Sequence, residues 1–356
     1  MKHSSKYLDL YTSLGFAASI LLAPDILAAD KGVAYISNQN GRVTILDLET
    51  MQTKGELNVG AKGPRGLGIT SDGKWIITAN KDDSNISIVD TAGTIPPKLV
   101  SIGKNPEFVR ILGDRAYVTY EPSSKGGPPS KLEKAEEDDD DDEEQVPGHI
   151  AIVDIKQGKV IKDIVGKPET EGLEFSKDGK KMIVTNESDN SITVHDVKSG
   201  KLLKSISVGK YGERPRGIKI SPDGKTYLVT LELSDKMLVL NNNFKVTKEI
   251  KTGKTPYGVS YDRAGKRIFV AANNENALQV FDAKTFTKIK DIPTGKRCWH
   301  FSFTPDDQQL LLACGKSSEV IVIDTATMEA TKRLLANEMP WGIVTYPKSM
   351  GSVDQP

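Results

Sequence analysis

Residues 215–241 read PRGIKISPDGKTYLVTLELSDKMLVLN, and this stretch decides the fold. A Pro-x-Gly step opens a short apolar run, a Ser-x-Asp-Gly-Lys turn follows, and two more apolar runs come after it. Gly supplies the positive φ that such turns need, and Asp accepts a hydrogen bond from its own backbone. Short apolar runs bounded by Gly, Asn and Asp are typical of strands. The stretch therefore predicts three consecutive antiparallel strands.

The same unit recurs along the chain, each copy ending with a more polar run and a glycine. These glycines are Gly60, Gly103, Gly166, Gly209, Gly253 and Gly295, at spacings of 43, 63, 43, 44 and 42 residues. No stretch shows the 3.6-residue apolar rhythm of a helical repeat. Four short strands in about 43 residues are typical of one blade of a β-propeller.

The chain contains six complete units and one split unit. It enters the first unit at residues 33–38 (VAYISN) without an opening strand, and the missing strand is found at residues 340–346 (PWGIVTY). The sequence therefore predicts an all-β, seven-bladed propeller with four-stranded blades. The C-terminal strand is expected to complete the first blade and close the ring, which leaves no open edge.

The sequence divides into three predicted segments. Residues 1–29 combine a basic start, a short apolar run and small residues before Asp30, which predicts a signal peptide cleaved near Ala29. An uncleaved anchor or a disordered tail is the alternative. Residues 30–348 are predicted to form the propeller and residues 349–356 a C-terminal tail. The mature chain is expected in the periplasm, without stable membrane insertion, and as a monomer.

Charge is unevenly distributed, although 48 basic and 48 acidic residues balance. The run Glu133–Glu144 (EKAEEDDDDDEE) lies in an insertion, residues 122–148, between the second and third strands of the third blade. Low hydrophobicity with like charges predicts a disordered, solvated loop. A Ca²⁺ site is disfavoured because the DxDxDG-type spacing is absent, and electrostatic docking to a basic partner stays open. No nucleic-acid partner is predicted.

Aligning the units places one residue per blade at one mouth of the central channel. These seven candidate ligand-binding residues are Arg65, Glu107, Glu171, Arg216, Tyr257, Trp299 and Trp341, with Arg110, Arg214 and Arg297 close in sequence. Arginines bind carboxylates and aromatic rings stack on flat ligands. A planar, tricarboxylated molecule such as pyrroloquinoline quinone would suit this rim, as would other anions. The alternative is that the seven residues are ordinary channel lining.

Cys298 and Cys314 lie at equal distances from the turn of their hairpin and should face each other. A structural disulfide is favoured over a free thiol pair in an exported chain. The sequence has no CxxCH, no paired CxxC and no GxSxG motif. No catalytic residue and no metal ligand set is assigned, and the cofactor is left unknown.

The repeat resembles a known family. YISN, ITAN and IVTN, together with the SPDGK turns, resemble the YVTN-type β-propeller repeat over residues 32–348. The run RCWHFSFTPDDQQLLLACG, from Arg297, resembles the branch associated with pyrroloquinoline-quinone-dependent catabolism. That resemblance implies a periplasmic protein that functions beside alcohol oxidation.

Three functions compete at this point. The first is a non-catalytic binding or scaffold propeller for quinone-dependent alcohol oxidation, whose rim holds a small anion or a periplasmic protein partner. The second is a propeller lactonase or hydrolase, in which Glu107 and Glu171 bind a divalent cation or act as acid and base, with Glu169 close by. The third is a structural cell-surface repeat protein.

Overall fold

The computed structural model describes residue 1, residues 31–122 and residues 146–354. Its 28 strands form seven separate four-stranded antiparallel sheets, arranged as the blades of a propeller. The predicted all-β, seven-bladed fold is therefore confirmed. The helical elements of the described residues are two single 3₁₀ turns, Glu232–Ser234 and Gly315–Ser317. No helix among these residues has the length and apolarity needed to cross a bilayer.

The strands are numbered in chain order. Blade 1 begins with β1 (Val33–Asn38), β2 (Val43–Asp47) and β3 (Gln52–Leu57). Blade 2 contains β4 (Pro64–Ile69), β5 (Trp75–Asn80), β6 (Asn85–Asp90) and β7 (Lys98–Ser101). Blade 3 contains β8 (Pro106–Leu112), β9 (Arg115–Tyr120), β10 (Pro147–Asp154) and β11 (Lys159–Pro168). Blade 4 contains β12 (Thr170–Phe175), β13 (Lys181–Asn186), β14 (Ser191–Asp196) and β15 (Leu202–Ser207).

The remaining blades follow the same pattern. Blade 5 contains β16 (Pro215–Ile220), β17 (Thr226–Leu231), β18 (Lys236–Asn241) and β19 (Val246–Lys251). Blade 6 contains β20 (Pro256–Tyr261), β21 (Arg267–Ala272), β22 (Ala277–Asp282) and β23 (Lys288–Pro293). Blade 7 contains β24 (Cys298–Phe303), β25 (Gln309–Cys314), β26 (Glu319–Asp324) and β27 (Glu329–Leu335). The last strand, β28 (Pro340–Tyr346), completes blade 1.

Ring closure occurs through β28, as predicted. This strand pairs antiparallel with β1, with Val33 opposite Tyr346 and Ile36 opposite Ile343. The innermost strand of blade 1 is thus contributed by the C-terminus, and the other three strands come from the N-terminal end of the propeller. Every blade therefore has a neighbour on both sides.

The core lies between the blades. The second and third strands of each blade carry aliphatic and aromatic residues that are almost completely buried, such as Ile76, Phe269 and Leu310. The fourth strand is mostly exposed, and β15 contains no fully buried residue. Neighbouring blades therefore pack face to face through their buried second and third strands. The exposed fourth strands give the ring a polar outer edge.

Two predicted segments fall largely outside the described residues. The signal peptide, predicted at residues 1–29, lies outside them apart from Met1. The acidic insertion, predicted at 122–148, joins β9 to β10 within blade 3, and residues 123–145 are not described. Its predicted end differs from the structure, because Pro147 and Gly148 already belong to β10.

The segment after β28 folds back onto the inner end of blade 7. The Phe303 N–H donates to the Met350 carbonyl at 2.8 Å, and the Ser352 N–H donates to the Phe301 carbonyl at 2.9 Å. Residues 350–354 are all buried. The sequence separated residues 349–356 from the propeller as a tail, whereas the described part of that segment packs into it.

Near the axis the inner strands approach so closely that a side chain does not fit at one position. A Cβ on Gly217 would lie closer than 3.0 Å to the Tyr257 carbonyl oxygen of the next blade, and Gly172 meets the Arg216 carbonyl in the same way. Real Cβ atoms essentially never come this close. The glycine of the Pro-x-Gly step is therefore required by backbone packing between blades.

We expect Gly217→Ala to lower the free energy of unfolding by about 1–3 kcal/mol, because the added methyl group forces two inner strands apart. Chemical denaturation measures this change. Gly209→Ala is the matched control, since Gly209 is exposed and its Cβ would lie 3.7 Å from its nearest neighbour, Asn190 Cβ. Equal stability of the two variants would contradict the close-approach argument.

Candidate functional site

Each inner strand is preceded by a residue with positive φ. These residues are Gly63, Asn105, Glu169, Arg214, Thr255, Arg297 and Met339, with φ between 52° and 71°. The carbonyl of each one accepts the N–H of the residue that follows the second strand of the same blade, at 2.8–3.3 Å. This hydrogen bond places the start of each inner strand beside the end of the second strand of its blade, at one end of the channel, here called the mouth.

The structure brings the seven predicted rim residues together at the mouth. They line one cavity of about 260 Å³. The sequence did not place a second group there: Gln39, Lys81, Glu121, Glu187, Glu232, Lys316 and Met339. Arg214 and Arg297 also line it, whereas Arg110 lies near the opposite end of the channel, beside Glu174. The expectation that Arg110 lies close to the rim is thus wrong, because it lies three residues beyond Glu107 on β8.

The aromatic rim residues are buried rather than presented to a ligand. Tyr257, Trp299 and Trp341 are 1–5% exposed. The Arg216 guanidinium covers the Tyr257 ring at 4.1 Å, and the Arg297 guanidinium lies 5.7 Å from the Trp299 ring centroid. The sequence assigned three aromatic rings to stacking on a flat ligand, and two of them, Tyr257 and Trp299, already make cation–π contacts with arginines.

Arg216 is the centre of an ion-pair network. Its Nη2 lies 2.7 Å from Glu171 Oε1, and its Nη1 lies 2.7 Å from Glu187 Oε1 and 3.2 Å from Glu232 Oε2. All three glutamates are buried. Buried carboxylates need such partners, since an unpaired buried charge is costly. Arg216 thus holds three carboxylates that belong to two blades.

Arg214 repeats this arrangement one layer further out. It contacts Glu169 at 3.0 Å, Glu187 at 2.5 Å and Glu232 at 3.1 Å. Glu187 and Glu232 are therefore shared between two guanidinium groups. Neither glutamate was predicted, although both follow the second strand of a blade and could be found by aligning those positions as well.

Arg65 and Glu107 form a separate pair on the neighbouring blades. The Arg65 guanidinium donates to Glu107 Oε1, and its Nε donates to Gln39 Oε1 at 3.1 Å. The second oxygen of Glu107, Oε2, is buried and has no hydrogen-bond partner in the described protein. An acceptor with free lone pairs therefore lies at the mouth.

Glu121 and Glu171 hold their protons unusually tightly. Burial, followed by repulsion from Glu171 and Glu107, raises the pKa of Glu121 well above its usual value. Burial also raises the pKa of Glu171 to about 7, an effect that Arg216 opposes and Glu107 reinforces. Glu121 accepts one hydrogen bond, from Asn105 Nδ2 at 3.2 Å, and its Oε1 is buried without a partner. Such shifted carboxylates are typical of functional sites.

The charges at the mouth are separated across the ring. The glutamates come from blades 3, 4 and 5, together with Arg214 and Arg216 of blade 5, whereas the charged residues that blades 2 and 7 contribute are all cations: Arg65, Lys81, Arg297 and Lys316. Arg297 Nε is buried and has no hydrogen-bond partner within the described residues. A small polar ligand would therefore meet carboxyl groups on one side and cations on the other.

Phe108 and His300 close the channel below the mouth. They occupy the position that is glycine in the other five blades, and their rings meet edge-on at 5.8 Å. The His300 ring also lies 4.3 Å from Trp341. Burial and the nearby Arg216 and Arg110 lower the pKa of His300 well below its usual value, so the ring is neutral. The mouth is thus a blind pocket.

Cys298 and Cys314 are bonded to each other. They are paired residues on β24 and β25, and their disulfide joins the two innermost strands of blade 7 directly below the mouth. The 3₁₀ turn that follows Cys314 contains Lys316, which lines the mouth. The disulfide therefore fixes the base of that turn.

The other two histidines of the described chain lie outside the mouth. His149 pairs with Asp163 at 2.8 Å, and His195 Nδ1 lies 3.3 Å from the Gly200 carbonyl. Within residues 31–122 and 146–354, no group of three or more His, Cys, Asp or Glu side chains is placed to hold a metal ion.

With the site described, comparisons with known proteins can be added. The family model of the cytochrome D1 heme domain matches residues 146–297, which is less than half of the chain. No curated protein matches the sequence significantly. The chain is similar in structure to Kuenenia stuttgartiensis hydrazine synthase, with 20% identity and a TM-score of 0.70, over 83% of this chain and 93% of that one.

Two further solved structures are similar to the chain. One is a Bacteroides uniformis ATCC 8492 protein, provisionally assigned as a 6-phosphogluconolactonase, with 17% identity and a TM-score of 0.71 over 88% of this chain and 99% of that one. The other is the Pseudomonas aeruginosa periplasmic gluconolactonase PpgL, with 15% identity and a TM-score of 0.68 over 88% and 98%. At these identities the likeness establishes the propeller fold.

The prediction of a scaffold for quinone-dependent alcohol oxidation is wrong. The matching family model describes a heme domain, and the similar structures include lactonases. The resemblance to the YVTN-type repeat correctly indicated a β-propeller, but the finer assignment to the pyrroloquinoline-quinone branch is not supported. The short motifs on which it was based are shared by propellers of different function.

A haem group, which the matched family model implies, does not fit the mouth. The cavity of about 260 Å³ is smaller than the roughly 300–1,000 Å³ of pockets for drug-sized ligands, and a tetrapyrrole is larger than those ligands. The described side chains that line it include neither His nor Cys, and of the other residue types that bind haem iron it holds Met339 and Tyr257, whose ring is covered by the Arg216 guanidinium. His149 and His195, which lie within the matched residues, are elsewhere.

We expect Glu171 to make stability depend on pH. Its pKa in the folded chain, about 7, exceeds the usual 4.5, so the residue stabilises the fold at low pH and loses that contribution as the pH rises through 7. Relative to Glu171→Gln, the wild-type free energy of unfolding should therefore fall between about pH 5 and about pH 8. Urea denaturation across this range measures the difference.

The exposed Glu249, which pairs with Lys236 at 2.9 Å, provides the control. The difference between wild type and Glu249→Gln should stay constant over the same range. A constant difference for Glu171→Gln as well would contradict the raised pKa.

Proposed function

We propose that the mouth hydrolyses the lactone of a sugar acid. The observation that carries this proposal is the pair Glu121 and Glu171, two buried carboxyl groups with raised pKa values that line one small cavity opposite the cationic side chains of blades 2 and 7. Ester hydrolysis needs a base, an acid and a positive charge at the carbonyl oxygen. The similarity of the fold to two lactonases supports the same class of reaction.

Glu171 is the proposed general base. With a pKa of about 7 it is ionised in a large fraction of molecules at neutral pH, and a base is most effective when its pKa lies near the working pH. Its carboxylate accepts a proton from a water molecule as the water oxygen bonds to the lactone carbonyl carbon. The carbonyl electron pair moves onto its oxygen, which becomes an oxyanion.

Glu121 is the proposed general acid. Because its pKa is raised well above 4.5, it retains its proton where Glu171 has lost its own. When the tetrahedral intermediate collapses, the ring C–O bond breaks and the leaving alkoxide takes the Glu121 proton. The product is a hydroxy acid. Glu171 then releases its proton to solvent and Glu121 takes up a proton from solvent, so both residues return to their starting states. Two carboxyl groups with different environments thus take different roles.

The positive charge at the mouth is supplied by guanidinium and ammonium groups. Arg65 lies on the cationic side and is proposed to face the oxyanion, while Arg297 and Lys316 bind a carboxylate or phosphate at the far end of the substrate. The two carboxylates that the sequence assigned to a divalent cation are already paired, Glu107 with Arg65 and Glu171 with Arg216. The proposal therefore differs from the cation-dependent lactonase considered from the sequence.

We expect the purified chain to hydrolyse glucono-δ-lactone or its 6-phosphate. Glu171→Gln should lower kcat by about 10²–10⁴-fold, because the substitution removes the general base without changing shape. Activity should rise with pH through about 7, as Glu171 ionises. A pH-stat assay, run with and without EDTA and corrected for spontaneous hydrolysis, measures both effects.

Glu249→Gln is the control for this experiment and should retain full activity, since Glu249 lies on the exposed outer strand of blade 5. A preference for the phosphorylated lactone that Arg297→Gln abolishes would locate the anionic end of the substrate. Hydrolysis no faster than the buffer rate with either lactone would reject the proposal.

We also propose that the chain functions outside the cytoplasm. The basic and apolar start of the sequence supports this, and a disulfide is stable in an oxidising compartment. PpgL, one of the proteins of similar fold, is described as periplasmic.

Expression of the full sequence in a Gram-negative host should yield a periplasmic protein whose N-terminus lies near Asp30. Cell fractionation followed by N-terminal sequencing measures this. A chain in which Leu21 and Leu22 are changed to Arg should stay in the cytoplasm, because a charged h-region is not recognised for export. An uncleaved N-terminus in the exported protein would contradict the proposed cleavage.

A further inference from the structure

The far end of the channel, opposite the mouth, contains a second ring of inward-pointing residues. Its members are Gly68, Arg110, Glu174, Lys219, Ser260, Ser302 and Val344, one from each inner strand, and all are buried. Three consecutive blades thus contribute a cation, an anion and a cation. The lactonase proposal uses none of these residues.

A cavity of about 580 Å³ opens beside this ring, between blades 1–3 and the segment that follows β28. Its volume lies in the range of roughly 300–1,000 Å³ found for small-molecule sites. Ile69, Val109, Ile111 and Val353 form an apolar wall. Arg110, Arg263 and Lys348 line the same cavity together with one carboxylate, Asp354, so the site is apolar on one side and carries more cations than carboxylates on the other.

Arg110 is the most deeply buried cation of this cavity, with 1% of its surface exposed. Its Nε donates to the Leu173 carbonyl at 2.9 Å and its Nη2 to Glu174 Oε2 at 3.3 Å. Its Nη1 is buried and has no partner among the described residues. A buried charged donor without an acceptor is costly, and a bound acceptor would remove that cost.

Arg263 supplies a second unsatisfied donor from another blade. Its Nη1 donates to the Thr304 carbonyl at 3.2 Å and to Asp307, whereas its Nη2 is buried and lacks a partner in the described chain. Two guanidinium groups that line one cavity therefore each retain one terminal NH2 group without an acceptor among the described residues. Paired guanidinium donors are the arrangement that binds carboxylates most specifically.

The local charge balance indicates a single negative charge for the ligand. Four cations surround the cavity and the ring: Arg110, Lys219, Arg263 and Lys348. Three carboxylates oppose them: Glu174 with Arg110 and Lys219, Asp307 with Arg263, and Asp354, whose charge interacts with Lys219, Arg110 and Arg263 and whose Oδ2 accepts a hydrogen bond from Ser302. One monocarboxylate would balance the remaining positive charge.

We propose that this cavity binds a small monocarboxylic acid with an apolar body. The carboxylate faces Arg110 and Arg263, and the apolar body packs against Ile69, Ile111 and Val353. An inorganic anion would leave the apolar wall without a partner, and a neutral apolar molecule would leave the two guanidinium groups unsatisfied. The site is separate from the mouth, because Phe108 and His300 fill the channel between them.

Isothermal titration of the folded full chain tests the proposal with hexanoate as the probe. Hexanol and inorganic phosphate serve as matched ligands that lack the charge and the apolar body, respectively. Hexanoate should bind, and the other two should bind at least tenfold more weakly. Equal affinity for hexanol or for phosphate would overturn the proposal, as would the absence of hexanoate binding.

Two arginine variants locate the ligand. Arg263→Gln, at a partly exposed position, should weaken hexanoate binding roughly ten- to a hundredfold, since a hydrogen bond to a charged group is lost. Arg333→Gln, at an exposed pair with Glu319, should bind like wild type. Thermal unfolding checks that both variants are folded.

Arg297→Gln separates this site from the mouth. Its hexanoate affinity should equal that of wild type, because Arg297 lines only the mouth among these cavities. Loss of hexanoate binding in Arg297→Gln, or its retention in Arg263→Gln, would show that the carboxylate binds elsewhere and would overturn the proposal.

Discussion

The lack of space at the propeller axis determines most of this structure. Seven inner strands converge until a Cβ on Gly172 or Gly217 would collide with the carbonyl group of the next blade. The neighbouring side chains must therefore point along the channel instead of across it. Large and charged residues collect at the two ends, while glycine occupies five of the seven positions in between. Both candidate sites lie where these larger and charged residues collect, at the two ends of the channel.

The same constraint explains why so many charges are buried. Glutamates and arginines at the mouth lie on inner strands or directly beside the ends of strands that are packed on both sides, so water reaches them from one direction only. Desolvation then favours the neutral forms of Glu121 and Glu171, and the nearby arginines compensate part of this effect. Arg214 and Arg216 each satisfy three carboxylates, which keeps the network compact. A reactive carboxyl group is thus a direct result of strand convergence.

The repeat was sufficient to predict the fold, the blade count, the closing strand and the seven rim residues, because each of these depends on periodicity. It did not identify Glu121 and Glu187, although they recur at one position after the second strand and the same alignment would have found them. The partner of each arginine could not be predicted, since it depends on distances between blades. Nor did the sequence indicate the packing of residues 350–354, which carry no repeat signal. The wrong functional assignment rested on short motifs that many propellers share.

The pairing of β28 with β1 also constrains when the molecule can be completed. Roughly 300 residues separate the two strands, and synthesis at about 5–20 residues per second takes on the order of 15–60 s to cover them. During that interval β1 presents an unpaired edge of the kind that recruits other strands. A prematurely terminated chain keeps this edge permanently. Only a chain that includes β28 can therefore cover this edge, and truncation before Pro340 leaves blade 1 with three strands.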